Sequence, residues 1–166
     1  MPIHIATATL EDHGAVWDIL APTIAAGETY PLPRDLDRAN ALAYWFSPSH
    51  EAFVARDDGE IAGTYYLRSN CLAGGAHVAN CGYVTGAWAT GRGIGRAMCE
   101  HSIARAHARG FLAMQFNLVV STNHRAVRLW QRCGFEIVGR LPGAFHHPRM
   151  GYVDALVMYR TLGFGP

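Results

Sequence analysis

The chain has 166 residues, half of them hydrophobic in the broad sense and 16% charged, which is the size and composition of one globular domain over residues 1–166. Lys plus Arg number 14 against 13 acidic residues, so the net charge is +1, without the basic excess that marks a nucleic-acid binder. Cys71, Cys81, Cys99 and Cys133 show no Cys-x-x-Cys spacing, and neither a signal peptide nor a membrane-length apolar run is visible; a cytoplasmic protein with reduced thiols and no membrane or nucleic-acid partner is expected.

His4 to Thr7 reads as a first strand. Thr9-Leu10-Glu11-Asp12 reads as a helix start, with Val16, Ile19, Leu20 and Thr23 on one face. Pro31-Leu32-Pro33 interrupts, and Leu36 to Phe46 is predicted as a second helix burying Leu42, Trp45 and Phe46. Phe53-Val54-Ala55 and Ile61 to Leu67 form a hairpin around Asp57-Asp58-Gly59-Glu60, because Asp-Gly suits the left-handed positions of a tight turn. After Gly74-Gly75, His77 to Thr85 is the next strand. A long helix over Ile94 to Arg109 ends at Gly110, a suitable left-handed C-terminal residue. Leu112 to Val120 is a strand, Asn123 to Cys133 a helix, and Phe135 to Val138 and Tyr152 to Tyr159 are two more strands. This order predicts an α/β (α+β) fold with a mixed sheet and helices on both faces.

The Gly91-Arg92-Gly93-Ile94-Gly95 run carries the chemistry. Glycines at alternate positions between a strand and a helix let backbone N–H groups approach an anion at the positive helix end, and a pyrophosphate fits there. Arg92 and Arg96 either add charge or are simply solvated. A dinucleotide loop would need glycine where Arg96 stands, and a mononucleotide P-loop would need Gly-Lys-Ser/Thr where Gly91-Arg92-Gly93 stands.

The stretch Thr90-Gly91-Arg92-Gly93-Ile94-Gly95-Arg96 resembles the acetyl-CoA loop of the GNAT family of N-acetyltransferases, Gln/Arg-x-x-Gly-x-Gly/Ala, with Thr90 replacing the usual Gln or Arg. Asn123-His124-Arg125-Ala126-Val127-Arg128-Leu129-Trp130-Gln131-Arg132-Cys133-Gly134-Phe135 is similar to a second family segment, Asn-x-x-Ala-x-x-Leu-Tyr-x-x-x-Gly-Phe. The resemblance implies the GNAT fold, a central sheet of about six to seven strands whose parallel pair splays apart. It implies direct acetyl transfer to an amine, with acetyl-CoA as co-substrate and no metal.

Under that resemblance, Tyr83, Val84 and Thr85 bond the pantetheine through their backbone. Thr90, Gly91, Arg92, Gly93, Ile94, Gly95 and Arg96 hold the pyrophosphate, and Asn123 bonds the pantetheine or caps its helix. Trp130 takes the place of the tyrosine that protonates the leaving thiolate in many relatives, and packs against cofactor or core; Cys133 and Tyr152 are spare acids. His77 is the candidate base, near the position of a catalytic glutamate in relatives, with Ala79 there instead if loop lengths differ; ordered water, which suffices in several relatives, is the alternative. Tyr30, in Gly27-Glu28-Thr29-Tyr30, falls where the family builds its acceptor pocket. Asn117 either holds a substrate carboxylate or amide, or bridges the strand wedge. Phe116-Asn117-Leu118-Val119 is faintly similar to yeast acetyltransferases that detoxify proline analogues, which implies a small amino or imino acid acceptor. A protein N-terminus or lysine is the other acceptor, and a non-catalytic acyl-CoA sensor the other class. Leu156-Val157-Met158-Tyr159 is either core or the face of a homodimer.

Overall fold

The computed structural model describes residues 2–163. Strand β1 (His4–Thr7) runs into a 3₁₀ turn over Leu10–Asp12 and then helix α1 (His13–Ala26). The start expected at Thr9 is therefore a turn, for a visible reason: the Asp12 carboxylate reaches back to accept the Thr9 N–H at 2.8 Å. Asp12 is buried and balanced by Arg56, whose Nη2 lies 2.6 Å from Oδ1. Helix α2 (Arg38–Trp45) starts two residues later than its apolar pattern suggests, because Asp37 accepts the Asn40 N–H at 2.8 Å and caps it there. It buries Ala41 and Trp45, while Leu42 and Phe46 are only partly covered.

Strands β2 (Glu51–Asp57) and β3 (Glu60–Ser69) form the expected hairpin, with Asp58 and Gly59 both at positive φ. Strand β4 (Val78–Thr85) begins one residue after His77, which lies in the preceding turn. Helix α3 (Ile94–Ala108) is followed by β5 (Ala113–Val120), α4 (His124–Arg132), β6 (Glu136–His147) and β7 (Gly151–Thr161).

The last two strands are longer than the sequence suggests. Pro142-Gly143 looks like a breaker, yet β6 passes through it with a register shift between Leu141 and Phe145. Asp154 of β7 makes that irregularity tolerable: it accepts the Gly143 N–H at 3.0 Å and pairs with Arg140 at 2.8 Å, replacing ladder bonds that proline cannot donate.

The sheet has seven strands in the order β1-β2-β3-β4-β5-β7-β6. All neighbours are antiparallel except β4 and β5. One face packs a core with Ile94, Met98 and Cys99 of α3 and Trp130 of α4; the other packs Val16, Ile19 and Leu20 of α1 and Trp45 of α2. Leu156 and Met158 lie in the first core, so they serve packing.

Trp45 carries a polar N–H into that second core and donates it to the Thr64 hydroxyl at 2.9 Å, which in turn donates to the Phe53 carbonyl at 2.8 Å. Thr64→Val keeps the shape and strands the indole N–H. The expected loss is roughly 1–3 kcal/mol of stability in urea unfolding, with Thr64→Ser closer to wild type.

Candidate active site

The parallel pair β4–β5 is bonded only at Val78–Ala113 and Ala79–Met114. Beyond these pairs the strands part. The Asn80 side chain makes the last stitch, donating Nδ2–H to the Gln115 carbonyl at 2.9 Å. The opening is a cleft of about 330 Å³, a size that suits a small ligand, lined by Cys81 to Thr85 on one side and Phe116 to Val120 on the other. Because the ladder to β5 has ended, the edge of β4 turned away from β3 offers backbone N–H and C=O groups to whatever enters.

At one end of the cleft, Gly91 and Gly93 adopt φ of +87° and +85°, and a Cβ at either would meet nothing within 4 Å, so conformation and not crowding demands glycine there. Gly93 caps α3 without any side-chain partner, and the first helical bond runs from the Ala97 N–H to the Gly93 carbonyl. The N–H groups of Ile94, Gly95 and Arg96 are thus unpaired within the helix, the arrangement that binds an anion. Arg92 is engaged by Asp57 at 2.6 Å, and Arg96 by Glu100 at 2.7 Å, so their charges are already balanced and the backbone amides are the donors left unpaired there. Thr90 is exposed in the same loop.

Tyr83 turns its hydroxyl toward α3, 2.7 Å from the Ser102 hydroxyl, and presents backbone to the cleft beside Val84 and Thr85. Asn123 lines the cleft while its Oδ1 accepts the Ala126 N–H at 3.2 Å, so its capping role is realised. Trp130 is 9% exposed and stacks near Tyr83 and Phe116, with ring centroids 4.8 and 5.1 Å apart, so it contacts core and cleft together.

The other spare residues lie elsewhere. Cys133 accepts a bond from Arg160 at its carbonyl, and the residue, its thiol held below the ordinary value by hydrogen bonding with the Cys99 thiol, lines a separate hollow. Tyr152 is 77% exposed and stacks on His146. His77 is exposed in the turn before β4, and its carbonyl accepts the Leu112 N–H at 2.9 Å; it does not line the cleft.

Tyr30 does line it, and its placement is specified locally. Gly27 ends α1 at φ +63°, Arg34 folds across it to donate Nε–H to the Ala25 carbonyl at 2.8 Å, and Glu28 pairs with Arg149 of the β6–β7 turn at 2.6 Å. The loop is thereby held against the cleft. Asn117 is engaged at both ends, accepting from Gln115 Nε2 at 2.9 Å and donating to Asn70 Oδ1 at 2.7 Å, so it ties β5 to the end of β3. It also sits at a register shift where β5 leaves β7 between Phe116 and Val119.

The structure adds residues that the sequence pattern hides. Tyr44, Tyr66, Arg68 and Asn80 join Tyr30 and Asn117 around the cleft. Arg68 is the one charged side chain among the described residues that line it. Its Nε donates to Asn80 Oδ1 at 3.3 Å, and no carboxylate among the described residues pairs with it.

Residues 15–135 match the Acetyltransferase (GNAT) family. The chain belongs to the GNAT family. It is 29% identical to N-acetyltransferase aca1 of Schizosaccharomyces pombe, over 81% of this chain and 72% of that protein. A GCN5-related N-acetyltransferase from Kribbella flavida superposes with a TM-score of 0.91 at 40% identity, covering 96% of this chain and 97% of that one. A phosphinothricin acetyltransferase from Sinorhizobium meliloti, solved in complex with acetyl-CoA, shares the fold with a TM-score of 0.86 at 20% identity, covering 99% and 91%. The protein is an N-acetyltransferase, and acetyl-CoA is its acyl donor. Among the described residues, no helix is long and apolar enough to cross a membrane, and no cluster of His, Cys, Asp and Glu could hold a metal ion.

Replacing Gly93 by alanine forces a side chain into φ +85°. The strain of about 1–2 kcal/mol should appear as roughly 5- to 30-fold weaker acetyl-CoA binding in calorimetry, with little change in the fold by circular dichroism.

Proposed function

We propose that this enzyme acetylates the amine of a small molecule that also carries a carboxylate, an amino or imino acid. Arg68 carries the reading. A lone arginine in a cleft otherwise lined by neutral side chains, oriented by Asn80 and without a carboxylate of its own, suits a ligand that brings one. The tyrosines around it give an acceptor a wall that is apolar in body and polar at the tips.

In this arrangement acetyl-CoA enters between the parted strands. Its pyrophosphate lies on the amides of Gly91 to Arg96 and its pantetheine along Tyr83 to Thr85 and Asn123, with Trp130 packing beside it. One N–H of the β4 edge polarises the thioester carbonyl. The acceptor comes from the side of α1 and α2, between Tyr30 and Asn117, its carboxylate on Arg68 and its amine turned to the thioester. His77, in the turn outside the cleft lining, has no direct path to that amine, and ordered water takes its place as base.

Thiol release from acetyl-CoA across a panel of amines tests this. Amino and imino acids should turn over, and their decarboxylated analogues should turn over poorly. Arg68→Met should raise KM for the acids by about 10- to 100-fold, the worth of a charge-assisted hydrogen bond, and leave the decarboxylated amines unchanged. Equal turnover of both classes by the wild type would overturn the reading.

A further inference from the structure

Strand β4 contains a glycine that the sheet itself does not need. Gly82 pairs with Tyr66 across the β3–β4 ladder and is surrounded by larger residues on its own strand. A Cβ built there would stand 2.4 Å from the Tyr30 hydroxyl oxygen and 2.6 Å from a ring carbon of Tyr66. Glycine in a strand interior marks a close approach, and here two phenols make it. The Tyr66 hydroxyl in turn shares a hydrogen bond of 3.1 Å with that of Tyr44. Tyr30 is thus set on the backbone of β4 just past the point where β5 departs, in the cleft that Trp130 also lines.

This matters because the leaving thiolate needs a proton and the indole of Trp130 has none to give near neutral pH. Among the described cleft-lining residues, Tyr30, Tyr44 and Tyr66 bring phenol O–H groups to the acceptor side, and Tyr30 is the one whose hydroxyl is seated over Gly82. Resting on the amine-acetylation reading above, we propose that Tyr30 is the catalytic acid of this enzyme, its hydroxyl over Gly82 delivering the proton to the departing sulfur.

The step balances. The neutral amine nitrogen attacks the thioester carbonyl carbon and forms the C–N bond as the carbonyl electron pair moves to oxygen. The pair returns, the C–S bond breaks, and sulfur takes the Tyr30 proton, releasing the free thiol. The phenolate is restored by the proton that the attacking nitrogen sheds as it becomes an amide, so no proton is gained or lost overall. Burial first, then the neighbouring phenols of Tyr66 and Tyr44 and the Cys81 thiol, hold the Tyr30 phenol well above its ordinary value, with the Tyr83 backbone acting the other way. A phenol keeps its proton at neutral pH in any case, and it is the negative charge developing on sulfur beside the hydroxyl that draws the proton across.

The experiment compares Tyr30→Phe with wild type on an amine the wild type acetylates, and places 3-fluorotyrosine at position 30 for fluorine NMR. Tyr30→Phe should lower kcat by about 100-fold or more while the dissociation constant for CoA stays within about 2-fold. The fluorine resonance should shift when CoA is added. Gly82→Ala, which keeps the phenol in the protein but pushes its hydroxyl off β4, should lower kcat in the same way. A Tyr30→Phe enzyme with wild-type kcat, or a resonance unmoved by CoA, overturns the assignment. A wild-type protein that acetylates no amine overturns the reading beneath it instead, so the two failures are distinguishable.

Discussion

Two parallel strands that stay bonded for only two residue pairs are a local loss of structure, and the rest of the molecule is arranged around that loss. Past Ala79 and Met114, each backbone group on the open edges of β4 and β5 needs a partner that the sheet does not supply. Asn80 supplies one, through its bond to the Gln115 carbonyl. Asn117 and Gln115 tie the far edge to Asn70. The remainder face a cleft, and an extended ligand with amides of its own is the natural complement.

The sheet's alternation then divides the work between its two faces. Cys81 and Tyr83 point to the core under α3, where Tyr83 meets Ser102, while Gly82 and Val84 point toward α1 and α2. Under the proposed reading, the donor is served by the glycine loop and α4, and the acceptor by the loop after α1 and by the tyrosines of α2 and β3. Each half has its own core, so changes that reshape the acceptor side need not disturb the pyrophosphate grip. Pinning of the α1–α2 loop by Arg34 and by the Glu28–Arg149 pair makes that side a fixed wall.

The fold and the glycine loop that begins α3 were largely legible in the sequence because their signals are local. Gly91 and Gly93 announce a backbone conformation, and Asn123 and Gly134 bracket a helix; each constrains its immediate neighbours. On the other side of the cleft the sequence pointed to Tyr30 and Asn117, but not to Tyr44, Tyr66 and Arg68, which sit on ordinary helix and strand patterns and converge only through tertiary packing. Gly82 was the one available clue, an unexplained glycine inside a strand. His77 was drawn toward the site by its place before the glycine loop, near that of a glutamate in relatives, but the strand starts one residue later and the histidine falls in the turn. The long β6–β7 hairpin was hidden by Pro142, whose cost Asp154 absorbs from a distance in the chain.

The central claim is that acetyl-CoA occupies the gap between the parted strands and rests on backbone amides. Hydrogen–deuterium exchange with and without CoA tests it most directly. The account predicts slowed exchange over Tyr83–Thr85 and over Gly91–Arg96, with the β1–β2 pair unchanged. Unaltered exchange at Tyr83–Thr85 in a protein that binds CoA would contradict it.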